Sequence, residues 1–138
     1  MRWTQDMPAY GDIIRVKVHF YHHYGIFADE NTVIQFGMPD NGNTPPDSIE
    51  VLTTDINTFS GGEFIERGVP EGSEKSARRT PEETVALALS RLGEKGYNIL
   101  NNNCEHFATE CFFGEKRSSF DKIRQMLRKK LNIKDDSK

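Results

Sequence analysis

Two cysteines and four histidines carry most of the nucleophilic and proton-transfer chemistry open to this 138-residue chain. Both cysteines lie in NNNCEHFATECFFG (101–114), and three of the histidines lie in VKVHFYHHYG (16–25). Cys104 could be a nucleophile, a metal ligand, half of a disulfide or a small core residue. If 104–111 is helical, Cys104 and Cys111 stand about 10 Å apart at a rise of about 1.5 Å per residue. A disulfide needs Cα atoms within about 7 Å, so an intramolecular bridge is not expected. Cys104 and His106 are two residues apart and diverge on a helix, and no second Cys–His pair has zinc-finger spacing. His22, His23 and Cys104 could meet at a metal, but neighbours on a strand face opposite sides. Neither a metal nor a cofactor is expected.

Cys104, Phe107, Ala108 and Cys111 also follow the i, i+3, i+4, i+7 pattern of a buried stripe. A core role therefore stays open for Cys104 and is the expectation for Cys111. What favours chemistry at Cys104 is its position directly behind Asn103, a natural N-cap. The free N–H groups of a helix's first turn favour a thiolate and could hold an oxyanion. A base must then come from His19, His22 or His23, because His106 faces away. Taken as one continuous strand, His23 shares a face with Arg15, Lys17, His19 and Tyr21. If the loop before the next strand is odd in length, Gln35 stands nearly opposite His23 and can orient its imidazole. His22 then falls with Ile34 and Phe36, in a structural or surface role. Tyr21, on the face of His23, could donate to the oxyanion.

The elements that must position these groups are partly written in the pattern. Residues 11–37 read as two strands joined by a polar turn, with Ile14, Val16, Val18 and Phe20 alternating with polar neighbours and a hairpin turning at Asp29–Asn31. SIEVLTT and GEFIERG are short strands within the Gly/Pro-rich 37–79 segment. TPEETVALALSRLG (80–93) is the clearest helix: Thr80 caps it, Pro81 and Glu83 complete the start, Val85, Ala88, Leu89 and Leu92 form its apolar stripe, and Gly93 ends it. YNIL (97–100) reads as a short strand, and a second helix runs from about Asn103 to Phe113, stopped by Gly114. The expected class is α+β, an antiparallel sheet of about four to six strands packed against helices 80–93 and 103–113, as a single domain over 1–138.

Composition is that of a globular protein, with no apolar run of membrane-spanning length and no apolar h-region at the start. A cytoplasmic location is the expectation. Charge is uneven: residues 115–138 carry nine Lys/Arg against four Asp/Glu, and the rest nine against seventeen. SSFDKIRQMLRKKLNIK forms a basic amphipathic third helix, over about 119–131. It either packs on the domain or attaches peripherally to anionic membrane lipid. Nucleic acid is not an expected partner, since no basic-aromatic surface accompanies it. Oligomeric state is open.

Two separated motifs carry a resemblance. HHYGIF after GDII, followed about eighty residues on by NCEHF opening a helix, resembles the lecithin:retinol acyltransferase (LRAT) domain from about Tyr10 to Gly114. That family includes the H-Ras-like suppressor phospholipase/acyltransferases, within the circularly permuted papain-like, NlpC-type thiol enzymes. The resemblance implies that His23 is the general base and that Cys104 is the nucleophile carrying the acyl chain as a thioester. The family's third polar member is usually a second histidine, where this chain has Gln35; glutamine can hold an imidazole but cannot take its proton. Many animal relatives end in a hydrophobic anchor, where this chain is basic and amphipathic. The implied function is thiol-dependent phospholipase A or acyltransferase activity on acyl esters, most naturally phospholipid. A cysteine peptidase, amidase or isopeptidase of the same superfamily is the rival enzyme, and a non-catalytic binding domain the rival class.

Overall fold

Apolar alternation in the first third of the chain builds the centre of one sheet. The computed structural model describes residues 1–19, 21–38, 44–98 and 102–115. Its strands are β1 (Arg2–Thr4), β2 (Asp12–Val18), β3 (Tyr21–Asp29), β4 (Thr32–Phe36), β5 (Val51–Thr54) and β6 (Ile65–Val69). They form one antiparallel sheet in the order β1-β6-β2-β3-β4-β5. Helices α3 (Pro81–Ser90) and α4 (Cys104–Phe113) cover one face, through a core that joins Ile13, Tyr24, Ile26, Ile34 and Phe36 to Val85, Ala88, Phe107 and Phe112. The other face holds Ile14, Val16, Phe27 and Val33 under Phe59 of the short helix α1 (Ile56–Ser60). A further short helix, α2, spans Glu74–Ala77. The architecture is α+β, as expected.

Residues 14–23 do not form one strand. The chain reverses between Val18 and Tyr21, which pair directly, and His19 takes a left-handed φ of 53° at the turn. His23 therefore pairs with Val16, and Lys17 with His22. Partners across an antiparallel pair share a face, so His23 lies on the apolar face of Ile14 and Val16, not on that of Arg15 and Lys17. The next hairpin turns at Asp29–Asn31, where the Asn31 N–H donates to Asp29 Oδ1 (2.8 Å). A bulge lies between Phe27 and Asp29: Asp29 pairs with Thr32, but Phe27 pairs with Val33 and Gly25 with Gln35. That inserted residue keeps Gln35 on the face of His23.

Helix α3 begins as expected, with Thr80 and Glu83 forming a capping box behind Pro81. Its buried side is rotated, however: Thr84, Val85 and Ala88 are buried, whereas Leu89 and Leu92 are 42% and 47% exposed. The helix stops at Ser90, so Leu92 leaves the stripe, and the packed edge is the one that meets α4. In α4 every residue except Glu105 and Glu110 is buried, and Gly114 ends the helix at φ 85°. Arg91 ties the helices together, donating to Glu94 (2.6 Å) and Glu110 (2.7 Å) with its guanidinium over Phe107. Asn98 and Asn102 form an isolated antiparallel bridge; Ile99 and Leu100 of the expected YNIL strand, and the 119–131 helix, lie outside the described residues. Among the described residues no helix is long and apolar enough to cross a membrane.

Candidate active site

The start of β3, the end of β4 and the N-terminus of α4 meet at one end of the sheet. His23, on β3, is 3% exposed, and its Nε2 meets Gln35 Oε1 at 2.5 Å. The two are diagonal neighbours across the hairpin, since Gln35 stands directly opposite Gly25. An amide oxygen only accepts, so Nε2 carries the ring proton and Nδ1 keeps its lone pair. Gln35 is fully buried and its Nε2 donates to Met38 Sδ (3.0 Å), which fixes the amide.

Two residues that the sequence did not single out complete this support. The Phe59 ring lies 5.4 Å from that of His23, tilted by 37°. Gly25 makes room for it: a Cβ there would stand 2.8 Å from Phe59 Cε1 and 3.0 Å from Val33 Cγ1. Sealed in this way, the imidazole is pushed down to about 4 by burial, against an upward pull from its Gln35 bond. His23 is neutral at neutral pH.

Cys104 is the first residue of α4 and is 5% exposed. Pairing of β3 with β4 ends at Gly25 and Gln35, and beyond it the β3 backbone meets α4. Cys104 Sγ lies 4.0 Å from the His22 carbonyl oxygen, and the Tyr24 amide favours its anion. The thiol thus rests against peptide groups on both sides of His23 from the helix-covered face, while the His23 ring lies on the Phe59 face; the structure brings Cys104 to the His23 backbone, not to its imidazole. Burial nevertheless pushes it up to about 11; the Tyr24 amide and the first amides of the helix pull it down only in part. A helix terminus is worth about 0.3–1 kcal/mol to an anion in ordinary settings, less than the desolvation of a buried one. The resting pair is therefore a neutral thiol and a neutral imidazole, not the thiolate that the helix start alone suggests.

Asn103 caps α4, its Oδ1 accepting from the His106 N–H (2.9 Å). His106 returns the bond through Nδ1, which accepts from the Asn103 N–H (3.2 Å). Buried and turned from the thiol, His106 fixes the turn that presents Cys104. The signal for this was the three-residue spacing of a capping box, with histidine in place of Glu or Gln.

Tyr21 opens β3 and is 43% exposed. His22 points to the helix-covered face, as expected, with Nε2 3.9 Å from Glu66. Its pKa is lowered by burial and then by Arg15, with Glu66 opposing. Cys111 is a free, fully buried thiol in the core, as its stripe position implied. Among the described residues no group of three His, Cys, Asp or Glu side chains is placed to hold a metal ion.

The family model for lecithin retinol acyltransferase matches residues 6–117. Lecithin retinol acyltransferase of Mus musculus is 28% identical over 129 residues, covering 78% of this chain and 55% of that protein. The Bos taurus protein is 30% identical over 127 residues, covering 75% and 54%. This chain spans about half the length of these curated relatives. The matched range takes in both the HHYGIF strand and the NCEHF helix start that the sheet brings to one end. The chain belongs to the lecithin retinol acyltransferase family, and its six-stranded antiparallel sheet with packed helices has the NlpC/P60 papain-like fold which that family implies.

Proposed function

We propose that this chain is a thiol-dependent acyl-transfer enzyme of phospholipase A-like type, in which Cys104 carries the acyl group, His23 moves the proton and Gln35 holds the imidazole. The observation that carries this reading is the His23 Nε2 contact with Gln35 Oε1. It leaves Nδ1 as the basic atom of a ring whose flanking peptide groups touch the thiol. Family membership supports thiol acyltransferase or phospholipase-like chemistry, and the acyl donor proposed is a phospholipid ester. The basic 119–131 segment would bring the domain to anionic lipid, where such donors reside.

In the proposed sequence the Cys104 proton passes through a bridging water to His23 Nδ1, since the ring lies on the Phe59 face and the thiol in the helix-side core, as Sγ attacks the ester carbonyl carbon. A C–S bond forms, and the carbonyl π pair moves onto oxygen. Collapse of this intermediate breaks the bond to the lysolipid oxygen, which takes the proton from His23 and leaves a thioester on Cys104. Water, or an acceptor alcohol or amine, then gives its proton to His23 and attacks the thioester, and Cys104 leaves as the thiol. Gln35 accepts from Nε2–H throughout. Because thiol and imidazole are both neutral at rest, proton transfer accompanies attack rather than preceding it.

Intact-protein mass spectrometry after incubation with a short-chain phosphatidylcholine tests this, beside Cys104→Ala and His23→Ala. An acyl-sized mass gain on the wild type, absent from both variants, is the expected result. A gain that survives Cys104→Ala refutes the thioester route. No gain with any acyl ester, together with cleavage of peptide or amide substrates that depends on Cys104, assigns the chemistry to the amidase rival.

A further inference from the structure

We propose that Tyr97 is a further catalytic residue of this centre, its phenol donating a hydrogen bond to the oxyanion formed when Cys104 attacks a carbonyl. The proposal rests on the acyl-transfer reading above for its natural substrate. Its basis is register. Asn98 and Asn102 exchange two backbone hydrogen bonds, N–H to O, at 2.9 and 2.8 Å. That antiparallel bridge sets Tyr97 opposite Asn103, the N-cap of α4, and so next to the residue preceding Cys104. Asn102 Nδ2 also donates to the Gly96 carbonyl (3.1 Å), holding the segment on both sides of Tyr97.

The ring is held as well as the backbone. Tyr97 stands edge-on to Phe36, with centroids 5.2 Å apart and planes at 88°. Phe36 in turn meets Phe107 at 6.3 Å, one turn along α4 from Cys104. The ring is therefore held against the same core cluster that contains Cys104. Its pKa is raised, first by burial, then by the negative charges that Cys104 and Tyr21 would carry. The phenol therefore keeps its proton at neutral pH. In the tetrahedral intermediate the carbonyl π pair sits on oxygen, and Tyr97 O–H binds it without giving up the proton. The donor role that Tyr21 suggested from sequence falls to the better-buried tyrosine.

Tyr97→Phe keeps the ring and removes only the hydroxyl, so melting temperature is expected to stay within about 1 °C, apart from any role in packing. On short-chain phosphatidylcholine, kcat is expected to fall about 100-fold with KM little changed. A second readout does not need turnover. The Cys104 S–H adds across the carbonyl of octanal, forming a C–S bond and placing the thiol proton on oxygen, and this hemithioacetal protects the thiol from alkylation. Octanal binding is expected to weaken at least about 10-fold in Tyr97→Phe, the scale of one lost oxyanion donor. Equal octanal protection in both proteins overturns the proposal, as does a wild type that octanal does not protect, or a binding loss matched by a fall in melting temperature. A wild type whose octanal protection depends on Tyr97, yet which turns over no ester, refutes the acyl-ester reading and leaves the donor role standing.

Discussion

The buried neutral imidazole makes acid stability a direct probe of the site. His23 is held at about 4 in the folded protein against 6.5 in an unfolded chain. Between those values the unfolded state binds one proton more than the folded state, so stability falls as pH falls. Over about 2.5 pH units at about 1.4 kcal/mol each, the loss is about 3 kcal/mol. With a urea m-value of about 1.5 kcal/mol/M, the unfolding midpoint drops by about 2 M between pH 7 and pH 4. The perturbation is His23→Gln, whose side-chain amide offers Gln35 Oε1 a donor but does not titrate. The assay is urea unfolding followed by fluorescence of Trp3, the sole tryptophan, packed edge-on to Tyr24. His22, with its lowered pKa, remains in both proteins. So do Asp55 and Glu83, whose carboxylates are held down by the Thr58 and Thr80 amides. Subtracting the two profiles isolates the His23 contribution. The variant is expected to be flatter by one proton's slope. Parallel profiles from pH 6.5 to 4 would refute the buried neutral imidazole.

Gly25→Ala places a Cβ against Phe59 and Val33; it is expected to destabilise the domain by about 1–3 kcal/mol in urea unfolding, as overpacking does, and to disturb the His23–Gln35 contact behind it. At the alkaline side the sign reverses: Cys104 ionises at about 11 folded against 9.0 unfolded, so stability falls as pH rises above 9. That loss is about 3 kcal/mol by pH 11, and Cys104→Ala should remove it. Alkylation of Cys104 by iodoacetamide should accordingly keep accelerating above pH 9, and a plateau near pH 7 would contradict a neutral resting thiol.

The two helices were legible because their signals are local. Thr80, Pro81 and Glu83 mark one start, Asn103 the other, and Gly114 a stop, each acting through backbone groups within one turn. What failed was anything set by packing between elements. Leu89 and Leu92 fit a helical stripe, but which edge of α3 is buried is decided by α4. The turn at His19 has no Gly or Asn to announce it, so β2 and β3 merged into one strand. Strand β1 is three residues long, too short to show a period. In the candidate site, Cys104, His23 and Gln35 were singled out by type and spacing. The balance of burial against the helix terminus at Cys104 was not, because desolvation depends on neighbours far apart in sequence.

The geometry of the pair turns on two single-residue events that work against each other's error. Without the reversal at His19, His23 would look out with Lys17; the pairing with Val16 turns it onto the apolar face where Phe59 can cover it. Without the bulge between Phe27 and Asp29, the Asp29–Thr32 register would run on to set Phe36 opposite Gly25, and Gln35 would face α4. The odd-loop condition drawn from sequence is met by that bulge, not by the length of the turn. His23 and Gln35 share a face because the bulge corrects β4 by one residue, and Gly25, opposite Gln35, is the position where a side chain would collide with the Phe59 ring that covers His23. Register, more than residue identity, brings His23 and Gln35 into contact, and deleting Ala28 should separate them while leaving both residues in the chain.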